Sequence, residues 1–161
     1  MKVDDLYVCN GAGTSNNDFL GDVAVYNLLP NGNGFYSQFV GSDADSTDNY
    51  LLVDEAGNPV TTDYAGSPTD GNKDTYTFQD LPVSSGTVLG TQVGMYAAKS
   101  DTLAKSIRSV ARLSGVDATG TDHTLQTSYD IHDDIYETKP GGGAWTIADV
   151  NNTEFGAEAR P

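Results

Sequence analysis

The stretch Tyr136–Glu158, YETKPGGGAWTIADVNNTEFGAE, constrains this chain more than any other part of it. A strand running out to Lys139 meets Pro140 and a run of glycine, which makes a tight Pro-Gly corner. Thr146 has N-cap chemistry, and Asp149 stands three residues on, in capping-box position. One short helix is therefore predicted over Ile147–Thr153, followed by a closing strand. Trp145, the only Trp, falls at the seam between corner and helix. There it can cover the open end of a β core, and it is the structural anchor the sequence offers.

The rest of the chain reads as short alternating stretches between turn signals. Leu6–Cys9 and Asp22–Leu29 are predicted strands, the second ended by Pro30 and Asn31-Gly32-Asn33-Gly34, with Phe35–Val40 as its hairpin partner. Asn49–Val53 is read as a further strand, turned by Gly57-Asn58-Pro59. Val60–Lys73 is polar and is read as a surface excursion anchored by Tyr64. Asp74–Phe78 and Thr87–Ala98 alternate again. Lys105–Ser114 would place Ile107, Ala111 and Leu113 inward and Arg108 and Arg112 outward. Leu103–Leu113 also suits a helical period, but its Gly-rich flanks favour a strand. Leu125–Thr138 would put Leu125, Tyr129, Ile131 and Ile135 on one face, and Phe155–Ala159 would close the sheet. The expected architecture is all-β, an antiparallel β-sandwich of jelly-roll type with one short C-terminal helix, in a single domain over residues 1–161.

Three blocks resemble, in order, blocks of structural proteins of tailed phages. They are DDLYVCNGAGTSNNDFLGDVAVYNLLPNG (Asp4–Gly32); NYLLVDE (Asn49–Glu55) with DYAGS (Asp63–Ser67) and DTYTF (Asp74–Phe78); and the ending, with its Ala-Trp-Thr, Asp-Val-Asn and Glu-Phe-Gly. That ending usually reads Pro-x-Thr-Gly before the Trp, whereas here three glycines follow Pro140. The blocks span nearly the whole chain and mark a scaffold, not a reaction. The resemblance implies a non-enzymatic virion protein, made in the host cytoplasm and displayed as a head decoration, fibre or tail-tip component. It also implies contacts with other virion proteins and homo-oligomers, trimers among them.

Charge bears on partners. With 8 basic against 23 acidic residues the formal net charge is −15. Such a chain lacks the clustered cations that nucleic acid requires, and anionic membrane surfaces repel it. The same charge keeps many copies of a surface protein apart. Cys9 is the lone cysteine, so no intrachain disulfide forms, and it reads as a small core residue. No signal peptide or membrane-length apolar run is visible, which makes the cytoplasm the expected place of synthesis.

Four groups of residues are candidates for a site. Asp43, Asp45 and Asp48 alternate in a polar loop that could supply oxygens to calcium, although an acidic solvated turn explains the same residues. Lys99, Lys105, Arg108 and Arg112 hold half the positive charge and would dock on an acidic neighbour, unless they pair within the molecule. Nine tyrosines invite a carbohydrate-binding reading, with host-surface glycans as ligand, but most sit at core-like alternating positions. Asp130, His132, Asp133 and Asp134 could serve a glycosidase or depolymerase, with Asp130, His132 and Asp134 on one strand face. His123, beside Asp122, reads as a loop residue. No nucleophile elbow or phosphate loop occurs, and no catalytic residue is assigned.

Overall fold

The computed structural model describes residues 11, 16–55 and 60–161. The expected strand Leu6–Cys9, Cys9 itself and the turn Gly57-Asn58-Pro59 lie outside the described residues. The fold is all-β and antiparallel. Among the described residues ten strands run in chain order: β1 Pro30–Ser37, β2 Val40–Gly41, β3 Ala65–Gly66, β4 Lys73–Phe78, β5 Thr91–Ala97, β6 Ser106–Leu113, β7 Val116–Thr119, β8 His123–Thr124, β9 Asp130–Tyr136 and β10 Glu154–Arg160. Among the described residues one helix, α1, spans Ile147–Asn151, and a 3₁₀ turn spans Asn49–Leu52.

The main sheet has the order β1-β4-β10-β6-β7, with β8 paired to the free part of β6. A second layer, β5 with β9, lies against its inner face, and β2 pairs with β3 apart from both. The arrangement is sandwich-like, with unequal layers.

The C-terminal stretch behaves as its sequence demands. Thr146 accepts from the Asp149 amide, and the Asp149 side chain accepts from the Thr146 amide, so the capping box is complete. Gly141, Gly142 and Gly143 all take positive φ, so the corner uses conformations that only glycine adopts freely. Trp145 is 4% exposed, and its Nε1 donates to the Tyr136 carbonyl at 2.9 Å. It joins Ala111, Tyr136, Val150 and Phe155 in the core, with Phe78, Val88 and Val93 packed around them. The indole covers the seam between the layers.

Several expectations are corrected. Residues 22–29 carry no regular structure, and the supposed Pro30–Gly34 turn is the first half of β1. Its glycines serve closeness, not turning: a side chain at Gly32 or Gly34 would collide with Thr77 or with Thr75 and Glu154. In place of the expected strand Asn49–Val53 stands the 3₁₀ turn Asn49–Leu52, entered from Asp48 in a left-handed conformation, φ 57°. Tyr64 is 49% exposed, so its ring is no buried anchor, although its backbone bonds Ser42. β5 covers only Thr91–Ala97 of the expected Thr87–Ala98.

Leu125–Thr138 is not one strand, and the phase of β9 is inverted. Ile131 and Ile135 are 62% and 70% exposed, while Asp134 and Tyr136 point inward. β10 does not close the sheet but lies at its centre, pairing with β4 on one side and β6 on the other. β7 was not foreseen. It follows β6 through a two-residue turn, Ser114-Gly115, with both φ positive, the geometry that suits strand twist.

Truncating Trp145 removes both the seam and a buried hydrogen bond. Trp145→Ala is expected to destabilise the fold by about 3 kcal/mol or more. Urea melts check this, and a change below about 1 kcal/mol would contradict the role given to the indole.

Candidate functional site

The most concentrated polar chemistry lies between the layers. β9 directs Asp134 at β6, where Ser109 donates from its amide at 3.2 Å and from its hydroxyl at 2.7 Å. Thr121, just after β7, donates from its amide and hydroxyl, both at 3.0 Å. His123 on β8 brings Nε2 to 3.1 Å from the same carboxylate. Ser109 also bonds the Tyr136 hydroxyl at 2.7 Å. The chain can come this close only because residue 120 is glycine: a Cβ there would overlap the Asp134 carboxylate.

Burial alone would raise the pKa of Asp134. The donors from Thr121, Ser109 and His123 outweigh it and hold the group at about 2. Asp134 therefore stays ionised and accepts on every side, which disqualifies it as a proton donor near neutral pH. Burial also raises the Tyr136 phenol. Beside the cluster, the His132 ring lies 5.2 Å from that of His123, and its buried Nε2 has no hydrogen-bond partner among the described residues.

Of the four expected catalytic candidates, Asp130 and Asp133 are exposed and only Asp134 is buried. Asp133 and Asp134 face opposite sides of β9, so they form no pair. The Ser109 hydroxyl bonds Asp134 and not His123, so no serine–histidine relay is assembled. His123, expected as a loop residue, lies on β8 as a member of the cluster. Nothing local in the sequence announces it, because its partner is 11 positions away on another strand.

The outer face of the main sheet holds a second network. Asp117 on β7 accepts from Lys73 Nζ at 2.8 Å, Tyr36 Oη at 2.9 Å and Arg112 Nη1 at 2.5 Å. Burial opposes its ionisation, but these donors lower its pKa. The Arg112 guanidinium stacks over Phe35, 4.1 Å from the ring centre. Arg108 makes a bidentate pair with Glu158, a side chain 5% exposed.

Arg108 and Arg112 lie on the outer face, as expected, but they are half-buried and paired within the molecule. Lys105 reaches the Pro68 carbonyl at 3.4 Å, and Lys99 the Leu103 carbonyl at 2.8 Å. The four cations are brought to separate intramolecular partners.

In the acidic loop, Asp45 Oδ1 accepts from the Thr47 amide at 2.7 Å, and Asp48 Oδ1 accepts from Asn33 Nδ2 at 2.8 Å. Asp43 Oδ1 has only a long contact to the Asp45 amide at 3.3 Å. Among the described residues no three acidic, His or Cys side chains converge as a metal site. Asp74 on β4, 1% exposed, accepts from Asn49 Nδ2 at 2.7 Å and from the Tyr76 hydroxyl at 2.8 Å, and burial raises its pKa.

No family model matches the chain, and neither a curated protein nor a solved structure matches it. Fold and polar clusters together define an all-β protein whose two layers are locked by a buried carboxylate.

The lowered pKa of Asp134 predicts an acid dependence with a definite sign. Its contribution, about 2 kcal/mol, is fully present above the ordinary carboxylate value of 3.8 and is lost as pH falls through about 2. Asp134→Asn should cost about 2 kcal/mol or more near pH 7 and distinctly less near pH 2. Urea melts at the two pH values check this, and an equal loss at both would refute the ionised lock. Gly120→Ala should destabilise comparably, by displacing the carboxylate.

Proposed function

We propose that this chain is a non-enzymatic structural protein of a tailed-phage particle, assembling with copies of itself and with other virion proteins. One observation carries the assembly reading: the second layer turns an apolar strip outward. Ile131, Asp133 and Ile135 of β9 face out beside Tyr96 and Gln92 of β5. Among the described residues β5 and β9 pair only with each other. Exposed apolar strand surface is what a monomer avoids and an assembly uses. The virion setting comes from the sequence resemblance and is part of the proposal.

The buried acids support a structural role. Asp134, Asp74 and Glu158 each hold elements together. Two shallow surface grooves, one along Ala118, Thr119 and Ile135–Lys139 and one along Asp80–Ser84 with α1, contain one carboxylate each, Glu137 and Asp80. Glycoside hydrolysis uses two.

A second reading, recognition of a host-surface glycan, has its own observation. Tyr96 and Tyr129 stack at 5.0 Å and 25°, both outside the core. Burial, then the neighbouring Tyr64 and Tyr96, raises the Tyr129 phenol, so three tyrosines share one surface region. A glycan array that returns a hit abolished by Tyr96→Ala would favour this reading over assembly alone.

Ile131→Glu with Ile135→Glu tests the assembly reading. The unmodified chain is expected to sediment as an oligomer at about 100 μM, near the affinity of weak interfaces. The double variant is expected to sediment as a monomer. Its melting should hold within about 0.5 kcal/mol per site, because both side chains are already in solvent. A monomeric parent, or a variant that assembles as the parent does, would reject the strip. Mass spectrometry of purified particles checks the setting: many copies per particle are expected, and absence from the particle rejects it.

A further inference from the structure

The loop between β2 and the 3₁₀ turn contains an arrangement that its acidic residues alone do not explain. Asn49, at the start of the turn, is 1% exposed. Its amide nitrogen serves two acceptors, the Phe39 carbonyl at 3.2 Å and Asp74 Oδ2 at 2.7 Å. That fixes the orientation of the amide, because the reverse would press oxygen against a carbonyl and a carboxylate. Asn49 Oδ1 therefore points the other way, buried and with no donor.

Where it points is the loop. A Cβ placed on the buried Gly41 would lie 2.5 Å from Asp43 Oδ1, 2.5 Å from Leu52 Cδ1 and 2.9 Å from Asn49 Oδ1, so a methyl group borders the two oxygens on one side. The two oxygens thus converge on the same side of Gly41. Asp43 is the one carboxylate of the loop held only by a long contact, since Asp45 and Asp48 serve as caps to other groups. A buried amide oxygen facing a carboxylate oxygen, with no proton between them, is unfavourable. A cation between them reverses the sign.

We propose that Asp43 and Asn49, with main-chain carbonyl oxygens of the same loop and water, bind a hard divalent cation of the calcium class. The donor set is mixed and lies on a loop. That suits the flexible six- to eight-fold coordination of calcium and not the strict octahedron of magnesium. One carboxylate gives low ligand charge, which places the affinity in the millimolar range typical of extracellular modules. The net charge of −15 raises the local cation concentration and assists occupancy. A bound ion would fasten the loop to the main sheet, because Asn49 also holds Asp74 of β4. The site differs from the one the alternating aspartates suggest: Asn49 enters it, and Asp45 and Asp48 leave it.

The test uses the full chain freed of metal by chelator, then melted in calcium or in magnesium at about 10 mM, well above the expected affinity. Calcium should raise Tm by about 5 °C and magnesium by less than half of that. Terbium luminescence, sensitised by nearby tyrosine and displaced by calcium, gives a second readout. Asp43→Asn should abolish both responses while leaving the metal-free Tm within about 2 °C, and Asp45→Asn should keep them. Equal shifts with the two metals would indicate charge screening and overturn the proposal. So would an unaltered response in Asp43→Asn, or no response in the parent.

Discussion

Burying a carboxylate between two sheets obliges the chain to surround it with donors, and Asp134 shows how far that obligation reaches. Its partners come from β6, from the segment after β7 and from β8, so a single side chain of β9 fixes four stretches against one another. Ser109 turns its hydroxyl to Tyr136 as well, and the Tyr136 carbonyl receives the indole of Trp145. The polar lock and the apolar seam are therefore continuous through two residues. Sliding β9 by one position so that Ile135 stood where Asp134 belongs would leave the donors of Ser109 and Thr121 without an acceptor. The register of the second layer depends on this more than on its own two-stranded ladder, which is marginal alone.

Much of this was legible in the sequence, and the exceptions have physical causes. Thr146, Asp149 and Trp145 were readable because capping and corner formation are local. The strands at Asp74–Phe78 and Lys105–Ser114 were readable because a period of two survives any partner. The phase of β9 was not readable. Apolar residues are the default inside, and only donors far away in the chain make Asp134 the better choice. The stretch at Pro30–Gly34 looks like a turn for the same reason: its glycines answer to Thr75 and Thr77 on the neighbouring strand, which no local pattern encodes. The central place of β10 is likewise a matter of topology. In the acidic loop, the alternating aspartates are exposed, while Asn49 is buried through its bond to Asp74, a contact no local pattern encodes.

On the outer face of the main sheet, the sequence contains a charge pattern whose meaning only pairing reveals. Register sets Arg112 opposite Asp117 and Arg108 opposite Glu158. Val110, between the two arginines on the same strand, is fully buried. Ion pairs this poorly solvated contribute less to net stability than their short distances suggest, because desolvation offsets the attraction. Their stronger effect is on register: a one-residue slip of β6 against β10 would leave buried charges uncompensated.

That allocation of charge limits how copies of the chain can meet. Every Lys and Arg among the described residues already has an intramolecular partner, while most acids remain at the surface. Two approaching copies therefore repel until salt shortens the Debye length to about 10 Å or less. Attraction has to come from apolar area, and the outward face of β9 offers it with Asp133 set between Ile131 and Ile135. The Asp133 carboxylate lies close over Gly94, where even a Cβ would come within 3.1 Å of it. A charge inside an apolar edge strip opposes indiscriminate strand pairing. Under the proposed assembly a neighbouring copy, whose described cations are already paired, would have to set a hydrogen-bond donor opposite Asp133.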